Sequence, residues 1–224
     1  GLIARWDYET RSSRIISPWP ENPMGWGAGD LKYRFQWTAP ILVSKFDSDV
    51  LYHCAQVVFK STNEGQSWKV ISPDLTTNDK SKQKQSGGPI TKDDTSVEYY
   101  CTIFALAESQ FNPEILWAGS DDGLVHVTRN GGRSWENVTP KELQEWSMIS
   151  MIDTSTFAPG RAYIAVDRHR LDDFAPYIYK TEDFGKSWVK ITNGIPDGAF
   201  VRVVREDPER KGLLYAGTET GVYV

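Results

Sequence analysis

Residues 128–135 read TRNGGRSW: a tight, polar, glycine-rich turn that ends in the largest apolar side chain a protein has. The stretch recurs. Residues 61–68 are STNEGQSW and residues 181–188 are TEDFGKSW. All three share Ser/Thr, any residue, Asp/Asn, any residue, Gly, any residue, Ser, Trp. Each position has a physical use. Asn63, Asn130 and Asp183 can fold a side-chain oxygen onto following backbone N–H groups and lock a turn. Gly65, Gly132 and Gly185 supply a backbone conformation that other residues resist. Trp68, Trp135 and Trp188 then leave the turn as anchors whose burial would be worth a few kcal/mol each.

The surroundings repeat as well. Upstream of each box lies an apolar or alternating stretch (LYHCAQVVFKS, LWAGSDDGLVHVT, AYIAVDRHRLDDFAPYIYKT), and downstream a short strand closing in a polar turn (KVISPD, ENVTPK, VKITNG). LLYAGTETGVYV at the C-terminus opens a fourth copy. Around the second box the unit reads as four strands: CTIFALAES, ILWAGS, LVHVTRN and SWENVTP. Four short antiparallel strands per repeat predict an all-β fold, a partial β-propeller of about three and a half to four blades. As one domain over 1–224, it divides into an outer-strand hairpin at 1–18, blades at about 37–75, 97–140 and 146–193, and inner strands of a further blade at 200–224. Two insertions interrupt the period, a polar loop at 76–96 and DRHRLDDFAP at 167–176. TPKELQEWS makes at most one short helical turn. The chain reads either as part of a larger ring or as a ring whose two ends pair to complete a fourth blade; exposed strand edges need covering in both cases.

Composition agrees. Charged residues are 25% of the chain, apolar residues 39%, and the 9 Trp, 10 Tyr and 9 Phe suit packed sheets. A net charge of −5 with no basic stripe argues against nucleic acid as a partner. No apolar run approaches a membrane span, so no membrane insertion is expected. The three histidines lie far apart without ligand spacing, and two cysteines are too few for a zinc site, so neither metal nor cofactor is expected.

The boxes resemble the Asp-box, or BNR, repeat of sialidases, sortilin-type receptors and many secreted bacterial propellers. Longer phrases, among them SPWPENPMGWGAGDLKYRFQWTAPI, VVFKSTNEGQSWKVISPDLT and LWAGSDDGLVHVTRNGGRSWENVTP, look like the second half of large sortilin/Vps10-like proteins often labelled glycosyl hydrolases. The resemblance implies a propeller working outside the cytoplasm, in the periplasm or secreted, with its boxes away from the ligand face. Two departures stand out. Asn63 and Asn130 replace the usual Asp, and Cys54 and Cys101 fall where such sequences more often carry Gly. Internal alignment agrees for Cys54, which matches Gly119 and Gly217.

In a propeller, ligands meet the face where second-to-third-strand turns and blade-to-blade loops gather. That face would carry Glu98, Tyr99, Tyr100, Asp121, Asp122, Arg168, Arg170, Asp172, Asp173 and Glu219. Glu98, Asp121 and Asp122 are candidate acid/base carboxylates for glycoside cleavage, and Tyr99 a candidate partner of Glu98. The plainer reading is that SDDG and TETG are turn formers and that charged loops are solvated. Arg168, Arg202 and Arg205 could make a carboxylate-gripping cluster. Cys54 and Cys101 would reach one face at adjacent blades; a disulfide there would contribute about 4 kcal/mol, and two unrelated thiols are the alternative. The expectation is a non-catalytic binding or scaffold segment presenting loops to a protein, peptide or glycan, and packed against the rest of a parent propeller or a second copy. The alternative is part of a sialidase-like or xyloglucanase-like glycoside hydrolase.

Overall fold

The computed structural model describes residues 2–224. A hairpin comes first, β1 (Ala4–Asp7) with β2 (Ser12–Ile15). The first full sheet is β3 (Ile41–Val43), β4 (Leu51–Cys54), β5 (Val58–Ser61) and β6 (Lys69–Val70). The second is β7 (Ile103–Glu108), β8 (Leu116–Ser120), β9 (Val125–Thr128) and β10 (Glu136–Asn137). The third is β11 (Met148–Thr154), β12 (Ala162–Asp167), β13 (Tyr177–Thr181) and β14 (Val189–Lys190). A three-stranded sheet follows: β15 (Val201–Glu206), β16 (Leu214–Thr218) and β17 (Val222–Tyr223). In every sheet the strands pair antiparallel in chain order. Helical structure among the described residues is three 3-10 turns, at Ala28–Asp30, Lys80–Lys82 and His169–Leu171.

These sheets are successive blades of a β-propeller, and alternation along the strands shows why. In β12, Ala162, Ile164 and Val166 pack back onto Trp117, Val125 and Val127 of the second sheet. Tyr163 and Ala165 point the other way, into Val201, Val204 and Ala216 of the fourth. A period of two thus buries both faces, and each core lies between neighbouring sheets. Val50, Tyr52, Cys54 and Val58 make the same contact with Ile103, Leu116 and Ala118. The inner strands of the second, third and fourth sheets also share a bulge at one position, after Ile103, Ile149 and Val201.

The boxes join third strand to fourth. Gly65, Gly132 and Gly185 have φ of +80°, +92° and +81°. Their amides donate to the hydroxyls of Ser61, Thr128 and Thr181 at 2.8, 3.0 and 2.9 Å. The Ser67, Ser134 and Ser187 amides donate to the side-chain oxygens of Asn63, Asn130 and Asp183 at 2.9, 3.0 and 2.9 Å. Each indole N–H then reaches across to the preceding unit: Trp68 to the Ile16 carbonyl at 2.7 Å, Trp135 to Ile71 at 2.9 Å and Trp188 to Val138 at 2.7 Å. The box glycine seats on that same residue. A Cβ at Gly65, Gly132 or Gly185 would lie 2.7 Å from Ile16, 2.5 Å from the Ile71 carbonyl oxygen and 2.6 Å from Val138. All three indoles are partly buried at these seams.

One box differs in charge. The Ser187 hydroxyl, followed by the Ser187 amide, holds the Asp183 carboxyl below its ordinary value of 3.8. A depressed folded-state value means stabilisation that is present above the unfolded value and lost as pH falls through the folded one. Asn63 and Asn130 do not titrate. Acidification from about pH 5 to about pH 2 is therefore expected to raise hydrogen exchange at Ser187 N–H more than at Ser67 and Ser134, read by NMR. Equal acceleration at all three would contradict this.

Two alternatives left open by the sequence fall one way. The chain ends do not pair: among the described residues β1 pairs with β2 alone, and β17 with β16 alone. The hairpin instead supplies Ile16 as the seat for Trp68. Cys54 and Cys101 are free thiols. Cys54 points into the core with Val58 and Ile103, whereas Cys101 directs its sulfur toward the Thr77 hydroxyl at 3.8 Å. Burial raises both thiols, Cys101 to about 11.

Candidate functional site: an aromatic cleft opposite the boxes

In a four-stranded meander, second-to-third turns and blade-to-blade connections fall on the same face, opposite the boxes. A continuous cleft runs there. One lobe, about 460 Å³, is lined by Trp19, Tyr33, Phe35, Trp37 and Tyr99 among others. A second, about 260 Å³, is lined by Gln36, Trp37, Glu98, Tyr99, Tyr100, Asp121 and Arg170. Gln36, Trp37 and Tyr99 line both.

Two of the segments that line the cleft are tied to each other. Residues 32–37 alternate: Tyr33, Phe35 and Trp37 line it, while Arg34 and Gln36 hold backbone. The other, 96–101, carries Ser96, Val97 and Cys101 at φ of 64°, 49° and 62°. Left-handed backbone at a β-branched residue is strained and needs outside support. The Trp37 amide supplies it at Val97 by donating to the Val97 carbonyl at 3.0 Å. Arg34, 3% exposed, does the same for Cys101, donating to its carbonyl at 3.0 Å and to Asp74 at 2.9 Å, and Gln36 donates to the Tyr99 carbonyl at 3.1 Å. The Trp37 ring stands 71% exposed at the junction of the lobes, its indole N–H on Glu98 at 3.3 Å. The sequence reading missed Trp19, Tyr33, Arg34 and Trp37, although the alternation in KYRFQW is a period-two signal for the last three.

The structure brings together Glu98, Tyr99, Tyr100, Asp121 and Arg170. Glu98 is exposed and also accepts from the Thr95 hydroxyl at 2.8 Å. Asp121 is buried and accepts from the Thr102 amide at 2.9 Å and hydroxyl at 2.7 Å. Burial outweighs those bonds and lifts its carboxyl to about 7. Tyr100 packs edge-on against Trp146 with ring centres 5.6 Å apart, and burial raises its hydroxyl, as it does that of Tyr99.

The remaining candidates do not line the two lobes, although Arg168 borders a small cavity beside Tyr100 and Asp121. Asp122 is buried and ties the 76–96 loop down, accepting from Thr77 N at 2.9 Å, the Thr77 hydroxyl at 2.7 Å and Ser120 at 2.5 Å. Arg168 pairs with Asp173 at 2.8 Å and donates to Ser147 at 2.7 Å. Asp172, exposed at φ +59°, ends a 3-10 turn. Glu219 pairs with Arg202 at 3.0 Å, and Arg205 with Asp153 at 2.6 Å. Arg168, Arg202 and Arg205 therefore each have their own carboxylate and form no common cluster. Among the described residues no group of His, Cys, Asp and Glu gathers as metal ligands, and no helix is long and apolar enough to cross a membrane.

Fold and cleft together define a β-propeller with an open, aromatic-lined face. Solved structures show the same fold. An ancestral GH74 enzyme superposes with a TM-score of 0.61 at 21% identity, over 91% of this chain and 23% of that one. The GH74 xyloglucanase from Xanthomonas campestris gives 0.59 at 17% identity, over 96% and 30%. The GH74 enzyme from Niastella koreensis gives 0.55 at 15%, over 97% and 30%. The chain thus spans less than a third of the length of these enzymes. No family model and no curated protein matches it.

Proposed function

We propose that the chain is the ligand-contacting segment of a larger Asp-box, sortilin-like propeller acting outside the cytoplasm, and that it binds a glycan without cleaving it. The observation that carries this reading is the exposed Trp37 ring, fixed through its backbone and its indole N–H between two aromatic lobes. A rigid flat ring suits the C–H face of a sugar, and Glu98, Gln36 and Arg170 beside it offer partners for hydroxyls. The box geometry supports the Asp-box assignment. Asp121 and Asp122 act as loop ties: both oxygens of Asp121 are engaged by Thr102, and those of Asp122 by Thr77 and Ser120.

Xyloglucan and cello-oligosaccharides are the probes, chosen from the activity of one structurally similar enzyme. Trp37→Ala is expected to weaken binding at least about tenfold in calorimetry while leaving the melting temperature unchanged. Unaltered affinity in that variant, or no saturable binding to either glycan, would overturn the reading.

A second reading has one observation in its favour. Asp121, with its raised carboxyl, shares a cavity with Glu98, the pairing that general acid catalysis of glycoside cleavage requires. It predicts turnover of xyloglucan that Asp121→Asn abolishes. The binding reading predicts no turnover in either protein.

A further inference from the structure

Both indoles that line the cleft carry a carboxylate at the edge of the ring. Trp19 donates its indole N–H to Glu21 at 2.8 Å, and Trp37 donates to Glu98 at 3.3 Å. Trp19, Glu21 and Trp37 line the first lobe, and Trp37 and Glu98 the second. Both glutamates are exposed. Among the described residues neither forms an ion pair, whereas Asp153, Asp173 and Glu219 are each paired with an arginine. The one basic residue lining either lobe is Arg170, which is engaged with the Tyr100 hydroxyl.

The first of these rings already holds a cation. Trp19 and Tyr33 stand edge to face, with centres 5.4 Å apart and planes at 74°. The Lys32 ammonium lies 4.4 Å from the centre of the Trp19 ring and 5.2 Å from that of Tyr33. An aromatic face with a carboxylate at its rim attracts an ammonium twice, through the ring quadrupole and through the charge. A sugar stacked by its C–H face on an indole projects its substituents past the edge of that ring, where Glu21 and Glu98 stand. A hydroxyl there meets the carboxylate as a neutral donor. A protonated amine meets it as an ion, and the bond is stronger.

We propose that the cleft selects a cationic glycan, an oligosaccharide whose sugars carry protonated amines; the selection rests on the glycan-binding reading of this same cleft. Trp37 and Trp19 are the stacking platforms, and Glu98 and Glu21 receive the ammonium groups at their edges.

The probes are three β-1,4-linked tetramers that share one backbone and differ at carbon 2: cellotetraose with hydroxyls, the glucosamine tetramer with amines and the N-acetylglucosamine tetramer with amides. Calorimetry is run on the whole chain at about pH 5.5, where glutamates are ionised and the sugar amines are protonated. The glucosamine tetramer is expected to bind at least about tenfold more tightly than either of the others, with the margin narrowing as salt is raised. Glu21→Gln and Glu98→Gln are each expected to cut the ratio of amine to hydroxyl affinity at least about threefold, and their melting curves verify folding. Glu209→Gln, an exposed change outside both lobes, is expected to leave the ratio as it is. Equal affinity for cellotetraose and the glucosamine tetramer overturns the proposal and leaves glycan binding standing. Equal affinity for the amine and amide tetramers also overturns it, as does an equal loss in Glu209→Gln, which would mean attraction by net charge alone. Absence of saturable binding by all three at about 5 mM overturns both readings.

Discussion

Trp188→Ala is expected to destabilise the protein by about 3 kcal/mol, which for a chain of this size lowers the melting temperature by roughly 6–12 °C. Trp188 packs on the largest core, with its ring centre 6.2 Å from that of fully buried Trp117. Its removal opens a void at the seam and leaves the Val138 carbonyl without its indole donor. Part of the ring is already solvated, so the low end of the range for large-to-small substitutions applies. Trp188→Phe separates the two contributions. It keeps most of the apolar area and loses the hydrogen bond, at a cost of about 1 kcal/mol. Urea denaturation measures both. A loss under about 0.5 kcal/mol for the alanine variant would mean that the indoles do not hold the blades.

The second large effect comes from adding atoms. A Cβ at Gly119 would lie 2.4 Å from Cγ2 and 2.6 Å from Cβ of Ile149 on the next sheet. Gly119→Val is expected to cost about 3 kcal/mol, because two packed sheets must part to admit it. Backbone conformation is not the cause, since Gly119 sits in regular strand β8 paired with Ala105 and Val125. Ile149→Gly removes both clashing atoms, whereas Ile149→Ala removes Cγ2 alone and keeps the Cβ. The Gly119→Val, Ile149→Gly double variant is therefore expected to be more stable than the sum of its single losses by at least about 1 kcal/mol. Strict additivity in that double variant would place the clash elsewhere.

Gly119 also shows where sequence reading stops. Alignment matches Cys54 to Gly119 and Gly217, yet each position answers to a different neighbour. Gly119 yields to Ile149 of the next sheet, and Gly217 to Val203 within its own, whose Cγ1 would lie 2.5 Å from a Cβ. Cys54 is accommodated in the core beside Ile103. A contact across sheets leaves no local trace, which is why a disulfide was plausible and the thiols are nonetheless apart. The boxes were legible for the opposite reason: Ser61, Asn63, Gly65 and Ser67 satisfy one another within a few residues. The cleft was half legible. Glu98, Tyr99, Tyr100, Asp121 and Arg170 were found from loop position. Trp37 and Trp19 were not, because they precede the first sheet and are brought across by long-range contacts, among them Arg34 to the Cys101 carbonyl and Gln36 to the Tyr99 carbonyl.

The indole latches and the aromatic cleft occupy opposite rims of the same sheets. One rim is held by a single contact repeated from seam to seam; the other is held by ties that differ from blade to blade, Asp122 on Thr77 in one place and Arg168 on Ser147 in another. A change of loop on that second rim leaves every latch in place, but each loop brings its own tie that a replacement has to supply, so altered specificity comes loop by loop and not as a free exchange.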